Sequence, residues 1–251
     1  MRVRQLWMTC LVCLGCQSIT GIPLQSRGPA ATPAESLDPE PRAIDAPPAA
    51  AAASAVQNHL SLAARHLEKG EDFAACQHLG LFLDEHPQHR NARLYRAELL
   101  VKLRRFTEAV GEYELAIRYE QEEAVPDGEH LVYCHTQLVH VGTLIEDDYL
   151  VRLHRGIGLV LLAQKRASLD DPEGELPAES LLCRAAAELK QAQALRPHAA
   201  RPWWYLHITW RQLGQRDPAC RSLWQASQRD PLSDLTPAEQ RDLHLACQSP
   251  R

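Results

Sequence analysis

The sequence predicts an all-α protein built from repeated pairs of antiparallel helices, and three observations support this fold class. Beyond Ala55, apolar residues recur at intervals of three and four, as in Leu60, Ala63 and Leu67, which is the period of an amphipathic helix. Signals for β-strands are nearly absent from the same stretch. Four residues also recur at an offset of 34 positions: Ala185, Leu189, Ala192 and Pro197 return as Ala219, Leu223, Ala226 and Pro231. A fixed period of this length indicates a solenoid, in which each helix pair buries its apolar face against the next pair.

The segment between these two copies carries a more specific pattern. Trp203-x-x-Leu206-His207-x-x-Trp210, followed by Gly214, resembles the tetratricopeptide (TPR) repeat, W-x₂-L-G-x₂-Y…A-x₃-F…P. Trp203 and Leu206 match the pattern, whereas His207 takes the place of its Gly. The resemblance implies a TPR-like antiparallel helix-pair solenoid, in which the first helix of each pair lines a concave groove that binds peptides or partner proteins.

Weaker copies of the repeat precede this one. Phe106 and Ala109 follow Phe73 and Cys76 by 33 residues, which places two repeats upstream. The stretch 168–177 is a loop by composition and interrupts a later repeat. A helix near 129–146 has no clear partner in the sequence. The elements are therefore expected at about 56–89, 90–123, 124–147 (irregular), 148–197 with the insertion 168–177, 198–231, and a capping helix at 236–247 that begins with Thr236, Pro237 and Glu239.

The first residues, MRVRQLWMTCLVCLGC, have the layout of a secretory signal. Arg2 and Arg4 form a basic start, and residues 6–15 form an apolar stretch that is too short to cross a bilayer stably. The ending Leu-Gly-Cys16 resembles the signal of bacterial lipoproteins. This resemblance implies that residues 1–15 are removed as a signal peptide and that Cys16 is lipidated.

The same segment has other interpretations. Cys10, Cys13 and Cys16 have a C-x-x-C-x-x-C spacing, which occurs in iron–sulfur ligation, but the surroundings are apolar and no fourth cysteine follows nearby. A plainly secreted protein and a short uncleaved anchor are the remaining alternatives. The lipoprotein interpretation is favoured because it also explains the segment that follows.

Residues 16–55 have the composition of a disordered tether. Seven of the 17 prolines fall between Pro23 and Pro48, alanine is frequent, and large apolar residues are few. Such a segment buries too little surface to offset the entropy lost on ordering. We expect a disordered Pro/Ala-rich linker that holds the helical domain away from the membrane.

The charge balance makes nucleic acid an unsuitable partner. The 251 residues carry a net charge of −5, and loss of Arg2 and Arg4 with the signal peptide would bring it to −7. A protein that neutralises phosphates needs an excess of basic residues instead.

The TPR resemblance also implies where a partner would bind. Carried onto this sequence, its groove positions fall on the first helices of three repeats. In this assignment Trp203 belongs to the core and Trp204 points into the groove, where an aromatic side chain flanked by arginines is a typical hot spot. The expected groove residues are Asn91, Leu94 and Glu98, then Arg152 and Arg155, then Arg201, Trp204, Ile208 and Arg211.

No motif in the sequence predicts catalysis, a cofactor or a metal. The twelve histidines include no H-E-x-x-H motif and are expected at the surface or between helices. The five later cysteines are expected to be buried single thiols. Gly156-Ile157-Gly158 follows no strand, so close helix contacts explain it better than a nucleotide loop. The acidic run Glu146-Asp147-Asp148 is expected to cap a helix.

These features together predict a lipid-anchored TPR scaffold of the bacterial cell envelope, in the outer membrane if the cell is Gram-negative. It would bind a protein or peptide partner without catalysis or cofactor. The alternative is a soluble secreted or periplasmic TPR module of a secretion or envelope-assembly complex.

Overall fold

The computed structural model describes residues 48–169, 177–229 and 234–248, and all regular structure in these segments is α-helical. The expected all-α fold class is thereby confirmed. The predicted signal peptide, Cys16, most of the linker and most of the insertion 168–177 lie outside the described residues. The helices are α1 (Pro48–Lys69), α2 (Asp72–Glu85), α3 (Arg90–Lys102), α4 (Phe106–Glu122), α5 (Gly128–Leu144), α6 (Asp148–Leu169), α7 (Ala178–Leu195), α8 (Arg201–Gln212), α9 (Arg216–Ser227) and α10 (Pro237–Gln248).

Helix α1 begins inside the segment that the sequence assigned to the linker. The linker was expected to extend to residue 55, whereas the helix starts at Pro48. Proline is well suited to the first turn of a helix because its missing N–H needs no partner there. The alanines that follow have the highest helix propensity of any residue.

Four tight turns of one type define the helix pairs. The residues Gly70, Arg104, Glu146 and Gly214 have positive φ angles of 75°, 59°, 57° and 70° and follow α1, α3, α5 and α8. At each turn the next backbone N–H donates to a carbonyl five residues back, as from Arg105 to Leu100 at 2.8 Å and from Asp147 to Gly142 at 2.9 Å. This is the Schellman ending of a helix. It pairs α1 with α2, α3 with α4, α5 with α6, and α8 with α9.

The turn at Glu146 gives α5 the partner that the sequence did not reveal. α5 packs against α6, and α6 packs against α7 on its other side. The sequence pairs a helix at 149–167 with one at 178–195, and α6 does pack against α7, but α6 is also shared with α5. The side chain of Asp147 accepts from the backbone N–H of Leu150 at 2.9 Å, so the acidic run does cap α6.

Small side chains lie where helices cross. Ala97, Ala109 and Ala185 are completely buried, and Ala219 is nearly so. Gly156 on α6 faces Leu189 on α7 so closely that an added Cβ would lie 2.6 Å from Leu189 Cγ. These contacts allow the close helix approach that a stacked solenoid requires.

The last helix begins with a reciprocal pair of capping bonds. Thr236 Oγ1 accepts from the backbone N–H of Glu239 at 3.2 Å, and Glu239 Oε2 accepts from the backbone N–H of Thr236 at 2.9 Å. This capping box starts α10 at Pro237. None of the helices in the described segments combines the length and apolar character needed to cross a membrane.

Candidate functional site

One face of α3 carries the first group of expected groove residues, and we call Asn91, Leu94 and Glu98 the α3 face. They follow each other at intervals of three and four residues and therefore line one side of the helix. Asn91 is exposed, and Leu94 and Glu98 are half-buried. A side chain on α5, Tyr133, joins this face because its hydroxyl donates to Glu98 Oε1. Sequence reasoning missed Tyr133 because the register of α5 was not assigned.

The carboxyl group of Glu98 lies in an unusual polar environment. Its second oxygen, Oε2, is buried without a hydrogen-bond partner among the described residues, as is the hydroxyl of the fully buried Tyr113. Burial raises the pKa of Glu98, although the hydrogen bond from Tyr133 opposes this. Burial, and then the bond to Glu98, raises the pKa of Tyr133 well above its usual value. On the α3 face, the carboxyl group of Glu98 therefore has one oxygen bonded to Tyr133 and the other buried, and it lies beside a tyrosine that remains 36% exposed.

The second group of expected groove residues is already paired within the chain. Arg152 Nη1 lies 2.9 Å from Glu188 Oε2, and Arg155 Nη1 lies 3.5 Å from Glu188 Oε1. The bond to Glu188 raises the pKa of Arg152. Both arginines thus connect α6 to α7, and their charge is partly neutralised before any partner arrives.

Two residues of the third group are not on an open surface. Arg201 is 4% exposed and Trp204 is 5% exposed. Trp203, assigned to the core, is half-buried and lies under the guanidinium of Arg229 at 4.8 Å. The assignment of Trp204 to an open groove was therefore wrong, whereas Trp203, although half-buried, does pack against the core. The physical reason is that Arg201, on this face of α8, contacts carboxylates of α4 and α10, so the chain covers its own helix here.

The remaining two residues of the third group stay accessible to different degrees. Ile208 is half-buried and Arg211 is exposed near the end of α8. They lie beyond the part of α8 that is held by α4 and α10.

Ionisable side chains from four helices meet around Arg201, and all but the half-buried Glu114 are buried; we call Glu114, His154, Arg201 and Glu239 the central ion network. Arg201 Nη1 lies 3.1 Å from Glu114 Oε2, and Arg201 Nε lies 3.2 Å from Glu239 Oε2. His154 Nε2 lies 3.1 Å from Glu114 Oε1. No local pattern could have revealed this network, because Glu114 and Arg201 are 87 residues apart.

The electrostatics of the central ion network favour the charged forms of Glu114 and Arg201. Burial acts to raise the pKa of Glu114, but Arg201 and His154 outweigh it and hold that pKa well below its usual range. Burial likewise acts against the charge of Arg201, yet Glu114 and Glu239 keep its pKa well above the usual value. His135, 2.8 Å from His154 through their Nδ1 atoms, has a pKa far below normal because of burial and the neighbouring His154. The network connects α4, α6, α8 and α10, and its arginine and histidine are buried away from any ligand.

A cavity of about 210 Å³ lies near the C-terminal end of α4. It is lined mainly by polar and charged side chains, including Arg90, Tyr119, Glu120 and His130. His130 connects Glu120, at 2.9 Å, to the thiol of Cys134, at 3.8 Å. This order of groups resembles a nucleophilic triad, but burial raises the pKa of Cys134 to about 12. The thiol is therefore protonated at neutral pH and is not an activated nucleophile.

The expectation about the later cysteines holds for two of the five. Cys76 and Cys134 are buried, whereas Cys183, Cys220 and Cys247 are exposed, and all five are free thiols. The three exposed cysteines lie on the solvent sides of α7, α9 and α10. The pattern of apolar residues did not reveal this, because a cysteine can occupy an exposed helix position as a serine does. Across the described segments, no three histidine, cysteine or acidic side chains converge on one point as metal ligands would.

The arrangement defines a class of protein: an all-α, TPR-like solenoid of antiparallel helix pairs. Solved structures similar to this chain include YrrB, a TPR protein with an unusual peptide-binding site, at 15% identity over 73% of this chain and 90% of that chain, with a TM-score of 0.31. Another is TTC0263, a TPR protein of Thermus thermophilus, at 22% identity over 77% and 83%, with a TM-score of 0.30. The type IV pilus biogenesis factor PilW matches at 17% identity over 75% and 98%, with a TM-score of 0.27. Neither the protein-family models nor the curated proteins give a match.

Proposed function

We propose that this protein is a lipid-anchored TPR-type interaction scaffold of the bacterial cell envelope, which binds a protein or peptide partner and carries out no catalysis. The observation that carries the proposal is the α3 face. There, on a stack of helix pairs with a 34-residue period, an exposed Asn91 and half-buried Leu94 and Glu98 lie next to Tyr133. This combination of an apolar side chain, an amide, a carboxylate and a tyrosine suits a peptide segment that brings both apolar atoms and N–H donors.

The proposed binding surface is narrower than the groove expected from the repeat pattern. Arg201 and Trp204 are excluded from it because they are buried. Arg152 and Arg155 are given a smaller part in binding, because Glu188 already pairs with both. Ile208 and Arg211 remain accessible and are retained as further contacts.

The anchor is proposed from the first sixteen residues alone. In cells that process lipoproteins, radiolabelled palmitate is expected to enter the wild-type protein and to be absent from Cys16→Ala, because Cys16 is the residue that follows the expected cleavage site. Cys13→Ala is the matched control and is expected to keep its label. Label that persists in Cys16→Ala would contradict the anchor. Mass spectrometry of the mature N-terminus distinguishes the soluble alternative, which would begin at a later, unmodified residue.

The binding surface is tested by placing a photo-crosslinking amino acid at Leu94 or Asn91 in living cells. We expect a discrete crosslinked species from both positions and none from Ala187, an exposed position on α7. The same species is expected to weaken when Glu98→Gln is added, because the amide changes the hydrogen bond that holds the exposed Tyr133 at this surface. Equal crosslinking from Leu94 and Ala187 would contradict the α3 face as the binding site.

A further inference from the structure

Two imidazoles face each other across the first helix pair. His59 on α1 and His78 on α2 are both half-buried, and their Nδ1 atoms lie 3.1 Å apart. Two imidazole ligands at the usual 2.0–2.1 Å from one ion are separated by about 3 Å when the angle between them is near 90–110°. The two rings share a hydrogen bond at this distance, and an ion that replaced the shared proton would find the two nitrogens already at the separation of a chelating pair.

A third imidazole with its own carboxylate adjoins this pair. The ring of His66 lies 5.2 Å from that of His78 between centroids, and His66 Nδ1 lies 2.5 Å from Glu71 Oε2. A histidine that binds a metal commonly donates its other ring N–H to a carboxylate, which fixes the tautomer. The Glu71 contact puts the proton of His66 on Nδ1 and leaves the lone pair on Nε2.

A second pair of histidines shows what distinguishes the first. His135 and His154 are also 19 residues apart and also face each other through Nδ1, at 2.8 Å. Each is only 1% exposed, and His154 Nε2 adjoins Glu114, so this pair lies inside the protein and out of reach of a hydrated ion. His59 and His78 have the same juxtaposition at a place that solvent reaches.

We propose that His59 and His78 form a binding site for a divalent transition-metal ion that prefers imidazole ligands, with Cu²⁺ bound most tightly. Cu²⁺ heads the affinity order of first-row divalent ions for nitrogen ligands, and it accepts a coordination sphere completed by water. His66 is the nearest further donor, and rotation of its side chain would bring a third nitrogen to the ion. The ion would tie α1 to α2 at the end of the solenoid that follows the proposed tether.

The test uses the purified full-length protein in detergent, with accessible thiols blocked by N-ethylmaleimide so that cysteines neither bind nor reduce the ion. Titration with CuCl₂ against glycine as competitor is expected to show one tight site per chain. His59→Gln and His78→Gln are each expected to weaken that site at least about tenfold, the scale of effect seen when even an outer-shell partner is removed. Electron paramagnetic resonance of the wild type is expected to show two or three nitrogen ligands.

The matched control is His140→Gln, which changes an exposed histidine on α5 and is expected to leave the affinity unchanged. Circular dichroism of each variant verifies that the helices are retained. Wild-type affinity in His59→Gln or His78→Gln would overturn the site, as would an equal loss in His140→Gln, which would identify general binding to surface histidines. A spectrum with fewer than two nitrogen ligands would overturn it independently of the variants.

Discussion

Replacing Arg201 with alanine is expected to lower the free energy of unfolding by about 3–5 kcal/mol, the cost typical of removing one partner from a buried ion pair. The side chain is 4% exposed and is the only cation that the described residues place within 4 Å of both Glu114 and Glu239. Without it, the buried carboxyl group of Glu239 would lose its arginine partner. Urea unfolding followed by circular dichroism measures the loss.

The control for this variant is Arg152→Ala. Arg152 also pairs with a carboxylate, Glu188, but its side chain is 35% exposed, so we expect a loss of at most about 1 kcal/mol. The deficit of Arg201→Ala is also expected to shrink as the pH falls below 4.5, the ordinary pKa of a glutamate, and not between neutrality and that value. In the wild type, the lowered pKa of Glu114 contributes stability above the unfolded pKa, and this contribution is lost as the pH falls through the folded pKa. In the variant the part of that contribution that comes from Arg201 is absent, and only the part that comes from His154 remains. A loss no larger than that of Arg152→Ala would mean that the central ion network is not stabilising.

Gly156→Val is expected to destabilise the protein by about 1–3 kcal/mol or more, through overpacking of the contact between α6 and α7. The added Cβ would lie 2.6 Å from Leu189 Cγ and 2.8 Å from Leu189 Cδ2, and Leu189 is completely buried. Neither helix can move away without disturbing another contact, because α6 also packs against α5 and α7 also packs against α8. Thermal unfolding measures the change in stability.

Gly158 offers a matched control two residues away. A Cβ at Gly158 would have its nearest neighbour, His135 Cβ, at 3.8 Å, which is ordinary van der Waals contact. Gly158→Ala is therefore expected to stabilise the helix by about 0.5–1 kcal/mol through reduced backbone entropy.

If Gly156→Val and Leu189→Ala are combined, the double variant should lose less stability than the sum of the two single losses. Simple additivity would show that the two residues do not compete for the same space.

Features that depend on neighbouring residues could be predicted from the sequence. The capping box of Thr236 and Glu239 needs only a spacing of three residues, and the buried alanines follow from the repeat period. The partner of α5 could not be predicted, because the turn that joins α5 to α6 lacks the glycine that usually marks such a turn. Its turn has Glu146 in the left-handed conformation, where glycine is the usual signal, and Arg104 hides the turn after α3 in the same way.

The candidate site could be predicted from the sequence only in part. The α3 face could be placed because it requires only the register of one helix. The wrong assignment of Arg201 and Trp204 arose from treating each groove position as facing solvent. That assumption holds for an open, regular superhelix, and it fails where Glu114, 87 residues earlier in the chain, returns to contact α8.

The long-range bonds of the central ion network also change the statistical mechanics of the molecule. In a simple repeat array each unit interacts only with its neighbours, so the array behaves as a one-dimensional chain that can fray from either end. Here Glu114 binds Arg201 across 87 residues, and Gln121 accepts from the hydroxyl of Thr236 across 115 residues, at 2.6 Å. These bonds close α4 onto α8 and α10, so the C-terminal units cannot melt one by one without first releasing α4. We therefore expect the part of the solenoid from α4 to α10 to unfold as one cooperative block, and its assembly to include the slow closure of a long loop.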